Sequence, residues 1–200
     1  MIRLYCATGN PGKLREFRMV ARPESGVQLE LLPRFPEIVP RAEDGRTFEE
    51  NAILKARHYG PHAGGLLFAD DSGLEVDALG GAPGVYSARF AGPGATDDAN
   101  NRLLLEKLQG IGNRAARFVC VIALVEGERL LRVFRGVVEG RITDEPHGSC
   151  GFGYDPLFFY PPFGGTFGEA PAERKFTVSH RGQALRAMLA WLRGARESQH

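Results

Sequence analysis

The chain has 200 residues and a formal charge of +1, from 25 Lys and Arg against 24 Asp and Glu. Its acids and bases are mixed along the sequence, which argues against a nucleic-acid binder with its concentrated Lys and Arg, and its size suits one domain, with or without two lobes, that needs no disulfide or structural metal. Cys6, Cys120 and Cys150 are odd in number and form no C-x-x-C pair, no apolar run approaches the ~18 residues of a membrane span, and Met1 to Ala7 is too short for a signal-peptide core, so the expectation is a cytoplasmic protein.

Ile2 to Ala7 reads as a short buried strand, followed by the dense turn signal Thr8-Gly9-Asn10-Pro11-Gly12. Leu14, Phe17 and Val20 recur at helical spacing and predict a helix from Lys13 to Ala21. Val27 to Leu32 suits a second strand, and Pro33, Pro36 and Pro40 an irregular link. Thr47-Phe48-Glu49-Glu50 has the form of a capping box, with a helix to Tyr59 that stops at Gly60-Pro61. Asn51 and Lys55 stand one turn apart beside its apolar face.

Leu66 to Ala69 predicts a short strand that ends on Asp70-Asp71-Ser72-Gly73, with Leu74 to Val76 resuming it. Gly80 to Gly84 reads as a tight loop, and Thr96 caps a helix to Leu108. Arg117 to Val125 and Arg129 to Val138, joined by Glu126-Gly127-Glu128, predict a hairpin whose first strand is central and covered on both faces. Leu157 to Phe159 is a further short strand. Ser179 caps a last helix with Leu185, Met188, Leu189 and Leu192 on one face, and residues 195–200 are expected to fray. The class is α/β with a mixed sheet in one domain, 1–200.

Four segments carry chemistry. In Thr8 to Lys13, glycines let backbone N–H groups approach an anion, a helix N-terminus favours negative charge, and Lys13 adds a full positive charge. The spacing is not that of a Walker A loop, because Leu14 follows Lys13. A plain strand-to-helix turn fits the same residues. Asp70 and Asp71 are adjacent carboxylates, costly unless a cation or donor compensates them, and magnesium is often held by one or two carboxylates with substrate phosphates. Glu43 and Glu50 are further acids for such a site, although capping explains Glu50 completely. A solvated Asx turn is the alternative for the pair. Phe152-Gly153-Tyr154-Asp155 offers aromatic faces to a purine, or else forms a glycine-rich loop with core aromatics. Lys175, His180 and Arg181 put cations at the start of the last helix, where they are locally unfavourable, so either an anionic or carbonyl partner or a solvated helix end is implied.

Taken in order, Ala7–Lys13, Thr47–Ala52 with Lys55, Ala69–Leu74, Gly80–Phe90, Gly151–Pro156 and Ser179–Leu185 resemble the inosine triphosphate pyrophosphatase family, the non-canonical purine or dITP/XTP pyrophosphatases, along almost the whole chain. The resemblance implies an elongated mixed sheet flanked by helices, two lobes with a nucleotide cleft between them, and a homodimer. It implies magnesium-dependent hydrolysis of ITP, dITP or XTP to the monophosphate and pyrophosphate. Thr8, Gly9, Asn10, Pro11, Gly12 and Lys13 would then hold the triphosphate. Asp71 would be proton acceptor and metal ligand, with Glu43 as the second metal-binding acid and Asp44 one residue away. Ser72 would contact substrate, and Phe152, Gly153, Tyr154, Asp155, Lys175, His180 and Arg181 the base and sugar. Cys150 stands where the family usually has glycine.

In such a reaction water attacks the α-phosphorus, Asp70 or Asp71 takes its proton, and Lys13 and Lys55 stabilise charge on the phosphoryl oxygens. A cation such as Arg181 facing the purine 6-position would accept hypoxanthine and xanthine, whose oxygen is an acceptor, and reject adenine. A pyrophosphatase for pyrimidine or modified nucleotides, and a non-catalytic nucleotide-binding module, are the competing expectations.

Overall fold

The computed structural model describes residues 2–20 and 26–197. Its strands are β1 (Ile2–Cys6), β2 (Val27–Leu31), β3 (Leu66–Val76), β4 (Ala115–Glu126), β5 (Arg129–Ile142), β6 (Phe158–Tyr160) and β7 (Gly165–Thr166). Its α-helices are α1 (Pro11–Val20), α2 (Phe48–Tyr59), α3 (Asp97–Lys107), α4 (Ala172–Val178) and α5 (His180–Glu197). The strands form one sheet in the order β2-β1-β3-β4-β5-β6-β7. β1 runs parallel to β2 and β3, whereas β6 is antiparallel to β5 and β7, so the sheet is mixed as expected. A two-residue turn joins β4 to β5, a connection that only antiparallel neighbours allow.

The chain divides into two compact units. The first comprises Met1–Asp71, Cys120–Gly136 and His180–His200, and the second Ser72–Val119 and Val137–Ser179. The first unit buries Leu4, Phe17, Leu67, Phe68, Ile122 and Met188. There the Phe17 and Phe68 rings meet edge to face at 5.2 Å, and α1 packs on α5. The second unit has its own core of Leu74, Leu104, Phe118, Phe158 and Phe167, with Phe118 and Phe158 centroids 4.5 Å apart. β4 is buried at nearly every position, as its unbroken apolar run requires of a central strand.

β5 runs on to Ile142, beyond the expected Val138, β7 was not expected, and four further features depart from the sequence expectation. The first helix starts at Pro11 rather than Lys13, because proline's fixed φ and missing N–H suit the first helical position; Ala21 lies outside the described residues. β3 is a single strand, and Asp70 and Asp71 lie in its middle instead of at its end. A separate helix, α4, precedes α5 and carries Lys175; its seven residues are too few to show a period. Finally, α5 continues through 195–197, where fraying was expected, and 198–200 lie outside the described residues.

Candidate active site

Asn10 shapes the turn between β1 and α1. Its Oδ1 accepts from the Lys13 N–H at 3.1 Å, its C=O accepts from the Leu14 N–H, and its own N–H donates to Thr8 Oγ1. Asn10 is thus the helix cap, Pro11, Gly12 and Lys13 are the first turn, and the positive end of the helix dipole lies here. The Lys13 ammonium donates to Asp70 Oδ2 at 2.7 Å.

Neighbouring residues of a strand point to opposite faces, and each aspartate of β3 meets its own lysine. Asp71 is held from α2. Lys55 Nζ donates to its Oδ1 at 3.1 Å and Asn51 Nδ2 to its Oδ2 at 3.1 Å. One helical turn separates Asn51 from Lys55, so one face of α2 supplies both donors. Lys55 Nζ also donates to Glu43 Oε1 at 2.9 Å. The segment carrying Glu43 is tied down in turn, because the Gly45 N–H donates to Asn51 Oδ1 at 2.8 Å. Only glycine permits that approach: a Cβ at Gly45 would sit 2.6 Å from Asn51 Oδ1.

The structure separates the other acids. Asp44 is exposed and pairs with Arg41, away from Lys55. Glu50 completes the capping box, although its carboxylate accepts from the Arg46 N–H rather than from the cap residue Thr47, whose Oγ1 accepts from the Glu50 N–H. Glu43, Asp71 and Asp70 remain as the site's carboxylates.

Their electrostatics differ. Burial is the strongest influence on both aspartates, which are 3% and 5% exposed. At Asp70 burial is overcome by Lys13, Lys55 and Arg181, which hold the carboxyl below its ordinary range. At Asp71 burial prevails over Lys55 and Lys13, and the neighbouring Glu43 adds to the rise. Burial works against the Lys55 ammonium, but Asp71, Asp70 and Glu43 outweigh it and keep it firmly protonated.

Asp71 and Glu43 converge on one cation, the Lys55 ammonium, which is the donor set a hard divalent ion uses. Among the described residues no three His, Cys, Asp or Glu side chains gather into a closed cage. Two carboxylates with the remaining ligands drawn from phosphates and water is the arrangement typical of magnesium, so these residues fit that ion.

In the second unit, Ser72 follows on β3, half-buried. Asp155 Oδ2 accepts from the Phe152 N–H at 2.9 Å and from Lys175 Nζ at 2.6 Å. The Lys175 ammonium also stands 5.0 Å from the Phe152 ring centroid. Tyr154 is buried and its hydroxyl donates to the Ser87 C=O at 2.8 Å. Burial, and then Asp97, push that phenol up. Lys175, expected near the start of the last helix, is 2% exposed and meets a carboxylate from within its own unit. Arg181 has a carboxylate as well: in the first unit its Nη1 donates to Glu16 Oε2 of α1 at 3.1 Å. His180 is fully buried beside it in the chain. The expectation of an anionic partner is met by the protein itself at both cations.

The family model of the Ham1 family matches residues 4–191. The chain belongs to the Ham1 family. An Exiguobacterium protein named dITP/XTP pyrophosphatase is 51% identical over 189 residues, covering 94% of this chain and 96% of that relative. Among solved Ham1 structures, that of a HAM1 protein from Coxiella burnetii superposes with a TM-score of 0.87 at 40% identity, covering 97% of this chain and 100% of the other. The Ham1 protein of Staphylococcus aureus gives 0.86 at 40% identity, covering 96% and 99%. Asn51 and Gly45 were absent from the site inferred from sequence. The available signal was a polar residue, Asn51, beside the apolar face of a capped helix and one turn from Lys55.

Proposed function

We propose that the protein hydrolyses non-canonical purine nucleoside triphosphates, dITP, XTP and ITP, to the monophosphate and pyrophosphate with magnesium. The observation that carries the catalytic part is Asp71 and Glu43 sharing the Lys55 ammonium, one strand residue from Asp70 and Lys13. The names of relatives at 45–51% identity supply the substrate class.

The turn Thr8 to Lys13 takes the triphosphate through backbone N–H groups, the helix dipole and the Lys13 ammonium. Asp71 and Glu43 hold the magnesium, which when bound neutralises phosphate charge and acidifies water. Asp71 accepts the proton of the attacking water, and Asn51 keeps its carboxylate aimed. Asp70 stays anionic and fixes Lys13. Lys13 and Lys55 stabilise the charge that builds on the phosphoryl oxygens. Phe152, Asp155 and Lys175, with His180 and Arg181, recognise the base and sugar, and Ser72 contacts substrate. A cation facing the purine 6-position pairs with the acceptor oxygen of hypoxanthine or xanthine, and adenine's amino group leaves it unpaired. Glu16 orients the Arg181 guanidinium for that purpose. The working form is a cytoplasmic homodimer, which light scattering coupled to gel filtration checks. Among the described residues no helix is long and apolar enough to cross a membrane.

A panel of ITP, dITP, XTP, dATP, dGTP and dCTP, with magnesium or EDTA, tests this reading. Pyrophosphate from the first three alone, lost with EDTA, is the expected result; orthophosphate, or no product, overturns it.

A further inference from the structure

The loop around Gly153 is gripped from α3. Gly153 has φ +63°, in the left-handed region, and α3 holds both of its backbone polar groups. Its N–H donates to Asp97 Oδ2 at 2.7 Å, and its C=O accepts from Asn101 Nδ2 at 3.1 Å. Asp97 and Asn101 are four residues apart and so lie on one face of the helix. The helix is itself anchored. Thr96 Oγ1 accepts from the Ala99 N–H at its start, while the Asn100 amide accepts from the Ala91 N–H and donates to the Ala88 C=O.

Asn101 is a poor choice for stability alone. It is only 8% exposed, on the helix that buries Leu104, and its Oδ1 meets no donor among the described residues. The C=O of Gly153 requires the NH2 group to face it, so the amide cannot turn round to relieve that oxygen. A buried acceptor without a donor is a cost, which leucine at this position would avoid. Gly153 is half-buried, so water can replace the lost donor. What Asn101 adds is a fixed place for Gly153, between Phe152 and the Asp155 that binds Lys175.

We infer that Asp97 and Asn101 are positioning residues for base recognition, acting through Gly153 to hold Phe152 and Asp155 in register. This rests on the proposed role of those residues in holding the base. It assigns a share of base binding to a helix outside the residues proposed to hold the base.

The test is steady-state kinetics of pyrophosphate release from ITP, with melting temperatures, for wild type, Asn101→Leu, Asp97→Ala and Asp97→Asn. Asn101→Leu and Asp97→Ala raise KM about fivefold, the worth of one hydrogen bond, with kcat little changed. Asn101→Leu melts no lower than wild type. Asp97→Asn, which keeps an acceptor oxygen, recovers most of the KM lost in Asp97→Ala. Unchanged KM in variants of an active enzyme overturns the inference alone, as does a loss of kcat that follows a loss of melting temperature. A wild type that releases no pyrophosphate from ITP overturns the proposed activity, and this inference with it.

Discussion

Replacing Lys13 by methionine removes the closest cation of a buried carboxylate. The ion pair spans 2.7 Å, with the lysine side chain 15% and the aspartate 2% exposed. At an effective dielectric near 20 the attraction over that distance is about 6 kcal/mol, most of which offsets desolvation. Stripping one partner from such a pair typically costs about 3–5 kcal/mol. Lys55 and Arg181 still act on Asp70, which places Lys13→Met at the lower end, about 3 kcal/mol. The pH dependence has a defined sign. In the wild type the folded Asp70 carboxyl lies below its unfolded value, so its contribution is complete above about pH 4 and is lost as pH falls through the folded value. Without the closest cation, burial is expected to outweigh Lys55 and Arg181 and to raise the folded carboxyl above the unfolded value. The variant then loses stability as pH rises through that window. Urea unfolding at pH 5 and pH 7.5 should therefore show a deficit that is larger at the higher pH, and Asp70→Asn in the variant background should remove the difference. A deficit below about 1 kcal/mol at pH 7.5, the worth of an exposed pair, or one that does not widen with pH, would refute the reasoning.

Asn51→Leu removes the donor to Asp71 and the tie to Gly45, and should lower kcat for dITP about 10- to 100-fold, as losses of supporting hydrogen bonds at metal sites do; an unchanged kcat would show that Asp71 needs no orienting amide. Gly73→Ala places a Cβ against Ser87 Oγ and 2.6 Å from the Gly84 C=O, and should cost about 1–3 kcal/mol in chemical denaturation, whereas wild-type stability would contradict the close packing there. Cys6 and Cys120 are buried, with thiols pushed up by burial, and Cys150 is exposed, so a thiol reagent should titrate one rapid cysteine in the native protein and three after unfolding. Two rapid native thiols would contradict the burial.

Local signals carried much of the fold. Thr47 and Thr96 announce helix starts, and each hydroxyl accepts from an N–H three residues on. The apolar run of β4 marks a central strand. The strand through Asp70 and Asp71 was illegible for a physical reason. Two adjacent acids argue for a strand end unless cations reach them, and those cations, Lys13 and Lys55, lie far away in sequence. Lys175 and Arg181 show the same limit. Each looked like a cation awaiting an anion, and the anions, Asp155 and Glu16, come from segments that only folding brings near. Glu43 and Asp44 could not be separated by position, and Lys55 separates them by contact. Asp97 and Asn101 lay hidden in an ordinary capped helix, because their partner is backbone, which has no sequence signature.

The central claim is that Asp71, with Glu43 and Lys55, forms a magnesium-dependent pyrophosphatase centre. The most direct measurement is pyrophosphate release from dITP with magnesium by wild type and Asp71→Asn, at matched melting temperature. The account predicts pyrophosphate as the product and a loss in Asp71→Asn of about 100-fold or more, the contribution of a general base. Wild-type release that survives Asp71→Asn, or that proceeds equally well in EDTA, would contradict it.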